Sequence, residues 1–315
     1  MRSAPARHLI SVRDLSDSDL QGIVQRGAAL ARLAADGTAL APDSLAGMVV
    51  GIYFTKTSTR TRTAFSAGAL RLGAGLITYG AQDLQMNTGE SNEDTGRVLS
   101  RMLTALVART AGDPGQMRAW TDQNRMAVIN AMSAEEHPTQ ALADLTTLTL
   151  HFGAVDGLRI LYVGEGNNTA AALALATSRY RGVHLELRTP AGYGLATDIV
   201  ESAVAQARAN GSVVHERHDL ADLPTDLDVV YTARWQTTGT SKPDPGWRAA
   251  FIPFQVNSAL MDHAQKAVFM HDLPAHRGEE VTGDVLDGPA SIAFPQAENK
   301  MYSAMAVLEW CHGVW

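Results

Sequence analysis

Short apolar segments alternate with amphipathic segments along most of this 315-residue chain. The segment "MVVGIYF" at 48–54 has the pattern of a buried strand, and a helix is predicted from about 59 to 72. "GAGLITYG" and "RMAVINAMS" have the pattern of further strands, with helical segments between them. This alternation is typical of a parallel sheet whose strands are joined by crossover helices. The expected fold class is therefore α/β.

A second unit of the same kind begins near residue 157. "GLRILYVGEGNNTAAALALATSRYRGVHLELRTP" predicts a strand, a glycine-rich turn, a helix and a strand in succession. "DLDVVYTARW" and "KAVFMHDLPAH" supply two more strands, and "ENKMYSAMAVLEWCHGVW" closes the chain as a helix. We therefore expect two domains, each a parallel sheet flanked by helices.

Composition excludes several classes of protein. The hydrophobic share of 45% and the charged share of 19% are those of a globular chain rather than a disordered one. A net charge of -7 argues against a general nucleic-acid binder but leaves room for a local basic pocket. The single cysteine, Cys311, excludes an intramolecular disulfide and a cysteine-based zinc site. Because no apolar run of membrane-spanning length and no signal-peptide pattern is found, we expect a cytoplasmic enzyme without a membrane partner.

The stretch "STRTR" lies between the first predicted strand and the helix that follows it. It offers three hydroxyls and two guanidinium groups: Ser58, Thr59, Thr61, Arg60 and Arg62. Hydroxyls cap helix N-termini, and a helix N-terminus together with an arginine attracts phosphate or carboxylate. Side chains two positions apart on a helix diverge, so Arg62 is expected to pair with an acid of the next helix, such as Asp94. The alternative is an ordinary capped helix with surface arginines.

Three other predicted strand ends carry polar groups. Arg109 ends "ALVART", "HPTQ" occupies 137–140, and "HDLPAHRG" occupies 271–278. Pro138 suits the first position of a helix, which leaves His137 extended before it and places Gln140 in the first turn. His137 and Gln140 can then face one ligand, although a capping histidine and an exposed glutamine remain the alternative.

The turn "VGEGNNT" resembles a dinucleotide-binding fingerprint but lacks its third glycine, because Thr169 stands in that place. Glu186 lies at the distance expected of a ribose-binding acid, so a nicotinamide-dependent oxidoreductase stays open as a minority hypothesis. Asn167 and Asn168 suit a polar substrate better.

The residues His271, Asp272 and His276 suggest a metal site only weakly. Histidines that are solvated or hydrogen-bonded explain the same spacing, so we expect no metal.

Several segments together resemble the aspartate/ornithine carbamoyltransferase family. They are "FTKTSTRTRTAFSAGALRLGA", "ESNEDTGRVLSRM", "HPTQALADLTTL", "DVVYT" and "LPAHRGEEVTGDVLDGPASIAFPQAENKM". The resemblance extends from about residue 8 to the C-terminus, and the last segments are closer to the ornithine branch than to the aspartate branch.

This resemblance implies a trimer of two-domain subunits with carbamoyl phosphate bound between the domains, and no metal or organic cofactor. The implied domains are 1–136 for carbamoyl phosphate and 137–294 for the acceptor amino acid, with a C-terminal helix at 295–315 that returns to the first domain. The implied carbamoyl phosphate ligands are Ser58, Thr59, Arg60, Thr61, Arg109, His137, Gln140 and Lys300. The implied acceptor ligands are Asn167 and Asn168, to which we add Arg234, Asp272 and Leu273. The expected catalytic residues are Arg109, His137 and Asp272.

The chain departs from the ornithine branch at the positions that meet the acceptor. That branch usually has His-Cys-Leu-Pro where this chain has "HDLP", so Asp272 replaces the cysteine beside the reacting amine. Ala233 replaces the carboxylate that meets the α-ammonium of ornithine, and Lys300 stands where an arginine is expected. At the positions of the family's Ser-Met-Gly loop this chain has Thr237, Thr238 and Gly239, so the serine and the methionine are changed.

The residues for carbamoyl phosphate thus match the family, whereas the acceptor residues are changed. We expect a carbamoyltransferase acting on a different amino acid that carries an amine, for example the shorter diamino acid 2,3-diaminopropionate. The alternatives are an ornithine enzyme whose acceptor loop has drifted and, from another class, a catalytically silent regulatory homologue.

Overall fold

The structure is a computed structural model that describes residues 6–38, 40, 43–237 and 240–315. The chain divides into two compact units. The first unit comprises the described residues up to Thr146 together with Glu298–Trp315, and the second comprises Thr147–Ala297. The predicted domain limits of 1–136, 137–294 and 295–315 stay a prediction.

The first unit contains a four-stranded parallel sheet in the order β2-β1-β3-β4. Its helices and strands are α1 (Asp17–Ala35), β1 (Val49–Phe54), α2 (Arg60–Arg71), β2 (Gly75–Tyr79), α3 (Asn92–Leu99), β3 (Ala105–Arg109), α4 (Gly115–Ala119), β4 (Ala127–Asn130) and α5 (Pro138–Phe152), the last of which runs on into the second unit. Ser16 caps α1 by accepting a hydrogen bond from the amide of Asp19. Strands β3 and β4 are buried along their whole length, which explains their apolar sequences.

The second unit contains a five-stranded parallel sheet in the order β7-β6-β5-β8-β9. Its elements are β5 (Arg159–Val163), α6 (Asn168–Thr177), β6 (His184–Arg188), α7 (Thr197–Ala209), β7 (Val213–Arg217), β8 (Val229–Thr232), α8 (Arg248–Phe251), α9 (Ser258–His263), β9 (Val268–His271) and α10 (Gly283–Leu286). The predicted α/β class is confirmed, although the sequence did not predict α7 or β7. In both units the order of the strands reverses at a central strand, and such a reversal is where α/β sheets bind ligands.

The C-terminal helix α11 (Ala293–His312) packs against the first unit's helices from Glu298 onward, as predicted. The guanidinium of Arg26 on α1 donates to both carboxylate oxygens of Glu309, at 2.7 and 3.0 Å. The indole nitrogen of Trp310 donates to Asp19 at 2.8 Å. These bonds attach the last turns of the chain to its first long helix.

A buried carboxylate, Glu136, holds the N-terminal segment against the end of β4. It accepts hydrogen bonds from the Ser11 hydroxyl at 2.5 Å and from the Val12 amide at 2.6 Å. Burial raises the pKa of Glu136 from 4.5 to about 7, although both bonds act in the opposite direction.

We expect Glu136→Gln to remove a pH dependence of stability. Because the folded chain holds the proton more tightly than the unfolded chain, the parent loses stability as the pH rises from about 4.5 to about 7. The loss is roughly 3 kcal/mol at most, at about 1.4 kcal/mol per pKa unit. Urea unfolding at a series of pH values checks this, with the exposed neighbour Glu135→Gln as the control. Equal pH slopes in Glu136→Gln and the parent would contradict it.

Within the described ranges, none of the helices combines the length and the apolar character that crossing a bilayer requires.

Candidate active site

Three of the predicted site segments follow neighbouring strands of the first unit's sheet. Phe54 at the end of β1 is paired with Arg109 at the end of β3, and the Thr55 amide donates to the Arg109 carbonyl at 3.0 Å. Strand β4 lies beside β3, and the chain passes from it to His137. The carboxyl edge of this sheet therefore carries "STRTR", Arg109 and "HPTQ" together.

The stretch "STRTR" forms the start of α2. The helix begins at Arg60 with Thr59 as its N-cap, and in the described chain Thr59 makes no side-chain capping hydrogen bond. Thr61 is buried in the first turn, whereas Ser58 and Arg60 are half-buried. An uncapped helix N-terminus presents amide hydrogens and a partial positive charge, both of which suit a phosphate.

The predicted ion pair between Arg62 and Asp94 is wrong. Both residues belong to the described chain, and Asp94 pairs with Arg97, three positions further along α3, at 3.4 Å. The Arg62 guanidinium lies over the Phe54 ring, 5.2 Å from its centroid. Arg62 therefore packs on the end of β1.

His137 lies immediately before α5 and is buried, with 3% of its surface exposed. Burial lowers its pKa well below the ordinary value, and the positive charges of Lys300 and Arg109 lower it further. The imidazole is therefore neutral at physiological pH. Its Nδ1 lies 3.3 Å from the Thr139 hydroxyl, so Thr139 can donate to Nδ1 and leave the hydrogen on Nε2.

Gln140 is buried in the first turn of α5 rather than exposed. Its amide oxygen accepts a hydrogen bond from the Lys300 ammonium, and its amide nitrogen donates to Asp144 at 2.7 Å. Lys300 and Asp144 are themselves buried. This row of three side chains fixes the glutamine amide, and it brings Lys300 from α11 to the residues of the "HPTQ" segment.

Three strands of the second unit's sheet likewise bring the predicted acceptor residues to one edge. Asn167 and Asn168 follow β5, Ala233 and Arg234 follow β8, and Asp272 follows β9. Strand β8 lies between β5 and β9, so these segments are neighbours at the carboxyl edge.

The turn before α6 is fixed by close backbone packing. A Cβ on Gly166 would lie 2.3 Å from the carbonyl carbon of Gly194, so only glycine fits there. The Asn167 side chain caps α6 by accepting hydrogen bonds from the amides of Thr169 and Ala170, at 3.0 and 3.1 Å. The oxygen of Asn167 is thus engaged in the cap, and its amide nitrogen is the group suited to a substrate.

Asp272 is bonded to the start of α6. Its Oδ2 accepts a hydrogen bond from the Thr169 hydroxyl at 2.9 Å, and its Oδ1 lies 3.5 Å from Nδ1 of His271. That nitrogen accepts from the Leu273 amide at 2.8 Å, and Nε2 faces Glu280 at 3.2 Å. Because Nδ1 of His271 accepts a hydrogen bond, the ring hydrogen lies on Nε2, and Oδ1 of Asp272 receives no hydrogen from Nδ1.

In the described part of the chain, Asp272 forms no ion pair with Arg234 or Arg277. Arg277 pairs with Asp287 at 2.7 Å, with both side chains more than half exposed. Arg234 is half-buried after β8, and Ala233 before it is fully buried. Of the three residues at the positions of the Ser-Met-Gly loop, Thr238 and Gly239 lie outside the described residues.

Among the residues that it describes, the structure does not support the two other sites that the sequence raised, a ribose-binding acid at Glu186 and a metal site. Glu186 lies within β6 and accepts hydrogen bonds from Arg188 at 2.7 Å and from His215 at 2.9 Å. It serves an ion-pair cluster on the sheet surface rather than a ribose. In the described part of the chain no group of three or more histidine, cysteine or acidic residues could hold a metal ion.

Sequence reasoning missed Thr169 and Asp144 as members of these clusters. Asp144 stands four positions after Gln140 on one helix, a spacing that predicts contact. Thr169 reaches Asp272 across 103 residues of sequence, and no local signal identifies that pair.

The chain matches two family sequence profiles in succession. Residues 7–149 match "Aspartate/ornithine carbamoyltransferase, carbamoyl-P binding domain", and residues 156–311 match "Aspartate/ornithine carbamoyltransferase, Asp/Orn binding domain". The chain belongs to the aspartate/ornithine carbamoyltransferase family, and it is a carbamoyltransferase.

Similar proteins carry the name of one branch of that family. The chain is 40% identical to an ornithine carbamoyltransferase of Thermococcus kodakarensis over 84% of both chains, and 36% identical to one of Symbiobacterium thermophilum over 98% of both. The solved ornithine carbamoyltransferase of Pyrococcus furiosus superposes with a TM-score of 0.88 at 35% identity, covering 98% of this chain and 97% of that one. Because both family profiles are those of carbamoyltransferases, the hypothesis of a nicotinamide-dependent oxidoreductase is wrong.

Proposed function

We propose that this enzyme transfers the carbamoyl group of carbamoyl phosphate to the amine of a short diamino acid such as 2,3-diaminopropionate. One observation carries the proposal: the acceptor edge has a buried alanine at 233 and a carboxylate at 272, held by Thr169. The carboxylate of Asp272 lies at the position assigned to the reacting amine. The position assigned to the α-ammonium of ornithine, Ala233, has no carboxylate.

The distance between the two amines of the acceptor is inferred from the number of carboxylates that the site offers them. Ornithine carries its two amines on Cα and Cδ, with two further carbons between them, so it needs a separate partner for the α-ammonium. The two amines of 2,3-diaminopropionate are on adjacent carbons, and one carboxylate can contact both. Asp272 is suited to that arrangement, because Oδ2 is engaged by Thr169 while Oδ1 receives no hydrogen from His271.

The first unit supplies the residues for carbamoyl phosphate. In this proposal Ser58, Thr59, Arg60 and Thr61 hold the phosphate at the start of α2, with Lys300 adding a buried positive charge. Arg109 and His137 donate to the carbamoyl oxygen, and Gln140 accepts from the carbamoyl amide. The low pKa of His137 supports a role as a neutral hydrogen-bond donor rather than as an acid.

The reaction is the attack of a neutral amine on the carbamoyl carbon. A tetrahedral oxyanion forms, the bond from carbon to the phosphate oxygen breaks, and phosphate leaves with the electron pair and takes up the proton that the attacking nitrogen loses. Donors aimed at the oxyanion accelerate such a step, each contributing roughly 3 kcal/mol at most by analogy with other oxyanion sites. Asn167 and Asn168 orient the acceptor carboxylate, with Arg234 and Leu273 beside it, and Asp272 takes the proton that the ammonium must lose.

A panel of amine acceptors tests the proposal. The purified enzyme is incubated with carbamoyl phosphate and, separately, 2,3-diaminopropionate, 2,4-diaminobutyrate, ornithine, aspartate and alanine. Mass spectrometry then reports the gain of one carbamoyl group. Product from a short diamino acid, dependent on enzyme, supports the proposal, and product from ornithine alone overturns it.

The second candidate is ornithine carbamoyl transfer. It is favoured by the names of relatives that are 36–40% identical over at least 84% of the chain. In that case Asp272 and Ala233 are tolerated changes, and the same panel gives product with ornithine.

We also propose a homotrimer, on family resemblance, in which the loop around Gln85–Thr88 lies near the neighbouring subunit's site. That loop contains a short 3-10 helix at Gln85–Thr88. Multi-angle light scattering is expected to give three times the chain mass of 33.6 kDa. A monomer at working concentration would remove this proposal.

A further inference from the structure

A lysine ammonium in the second unit is enclosed by aromatic rings. Nζ of Lys242 lies 4.9 Å from the ring centroid of Tyr193, 5.3 Å from that of Trp247 and 5.2 Å from that of Phe251. Trp235 packs on the same cluster, with its ring centroid 5.7 Å from that of Phe251. Aromatic faces attract cations, and several rings around one ammonium are the arrangement by which proteins recognise such groups.

The carboxylate of Glu165 closes this cage. It forms an ion pair with Lys242, and the exposed fractions of the two side chains are 7% for Lys242 and 17% for Glu165. Burial raises the pKa of Glu165, and the hydrogen bonds of Lys242 and Thr237 act in the opposite direction. A buried ion pair is costly to break, because removing one partner leaves the other charge without compensation.

The pair joins two segments that are 77 residues apart in sequence. Glu165 directly precedes the turn at Gly166 that leads into Asn167 and Asn168. Lys242 belongs to the segment 233–247, which follows β8 and begins with the acceptor positions Ala233 and Arg234. Lys242 is therefore attached at the same turn that presents the asparagines.

We propose that the Glu165–Lys242 pair is a positioning device for acceptor binding, which holds the described residues of the segment after β8, 233–237 and 240–247, in register with Asn167 and Asn168. The inference rests on the proposed function, since it assigns the acceptor to these two segments. Neither Glu165 nor Lys242 contacts the acceptor in this proposal. Their effect passes through the backbone of the turn and of the segment, so it appears in the affinity for the acceptor rather than in carbamoyl phosphate binding.

The test compares Lys242→Met and Glu165→Gln with the parent. Both variants keep the size of the side chain and remove one charge of the pair. We expect the KM for the acceptor to rise roughly 10- to 100-fold, the scale of effect when groups away from the chemistry misplace a substrate. The KM for carbamoyl phosphate and kcat at saturation stay within about twofold, a change of under 0.5 kcal/mol.

Three further variants make the result specific. Lys242→Arg retains a cation for the cage and is expected to recover most of the acceptor affinity. The double variant is expected to lose no more than either single variant, because the two residues act as one unit. The control is Lys266→Met, which removes an exposed lysine before β9 and should match the parent.

Hydrogen exchange measured without acceptor separates this inference from the proposed function. Amides of the described residues 240–247 are expected to exchange faster in Lys242→Met than in the parent, whatever the acceptor proves to be. Faster exchange together with a raised acceptor KM supports the inference. An unchanged acceptor KM, unchanged exchange, or equal loss for both substrates overturns it, whereas a parent without activity on any diamino acid overturns only the proposed function.

Discussion

Arg60→Ala is expected to weaken carbamoyl phosphate binding by roughly 10- to 150-fold while the protein stays folded. Arg60 is the first residue of α2, where the phosphate is proposed to bind. A hydrogen bond assisted by charge contributes about 1.5–3 kcal/mol, and each 1.4 kcal/mol is a factor of ten in Kd. Isothermal titration calorimetry with carbamoyl phosphate measures the loss, and circular dichroism confirms the fold.

Arg62→Ala is the matched control for this prediction. Arg62 lies two positions further along the same helix, and its guanidinium packs on the Phe54 ring. We expect its Kd for carbamoyl phosphate to stay within about twofold of the parent's, as for substitutions outside a site. Two results would contradict the phosphate assignment: parental affinity in Arg60→Ala, or equal losses in both variants, which would indicate a general effect of charge.

Asp272→Asn is expected to lower turnover of the true acceptor by about 10²- to 10⁴-fold, the usual contribution of a general base. Asparagine keeps the shape of the side chain and an oxygen that can accept the Thr169 hydroxyl bond. The variant should therefore fold and bind carbamoyl phosphate at least as tightly as the parent. Steady-state kinetics at saturating carbamoyl phosphate, combined with calorimetry, separates the two effects.

The control for Asp272 is Asp287→Asn. Asp287 forms an ion pair with Arg277, and 55% of its side chain is exposed. Loss of this ion pair should leave kcat unchanged, because exposed ion pairs contribute only about 0–1 kcal/mol to stability. If Asp272→Asn keeps full activity with the true acceptor, Asp272 takes no part in the chemistry, and the rebuilt acceptor site loses its main residue.

The sequence predicted the apolar strands of the fold better than the polar ones. Strands β1, β3 and β4 are buried along all or nearly all of their length and appear in the sequence as apolar runs. Strand β7 is an edge strand with the sequence VVHER, in which most positions are exposed or half-buried. Its polar residues give no apolar run, so the strand forms through pairing with β6 rather than through a local pattern.

In the candidate site, the sequence predicted the positions of the polar segments but not the partners of their side chains. Strand ends are local features, so the sequence located "STRTR", Arg109, "HPTQ" and the residues after β9. The partner of each side chain depends on tertiary packing. The bond from Lys300 to Gln140 joins residues 160 positions apart, and the bond from Thr169 to Asp272 joins residues 103 positions apart. The predicted ion pair between Arg62 and Asp94 was wrong as well, because Asp94 pairs with Arg97 on its own helix.

One competition experiment tests most directly the claim that the acceptor site is rebuilt while the carbamoyl phosphate site is kept. The enzyme receives carbamoyl phosphate with equal concentrations of 2,3-diaminopropionate and ornithine, and mass spectrometry measures the ratio of the two carbamoylated products at low conversion. This ratio equals the ratio of the two kcat/KM values, which reports differential binding of the transition states. We predict that carbamoylated 2,3-diaminopropionate is the major product. A mixture dominated by carbamoylated ornithine would contradict the account.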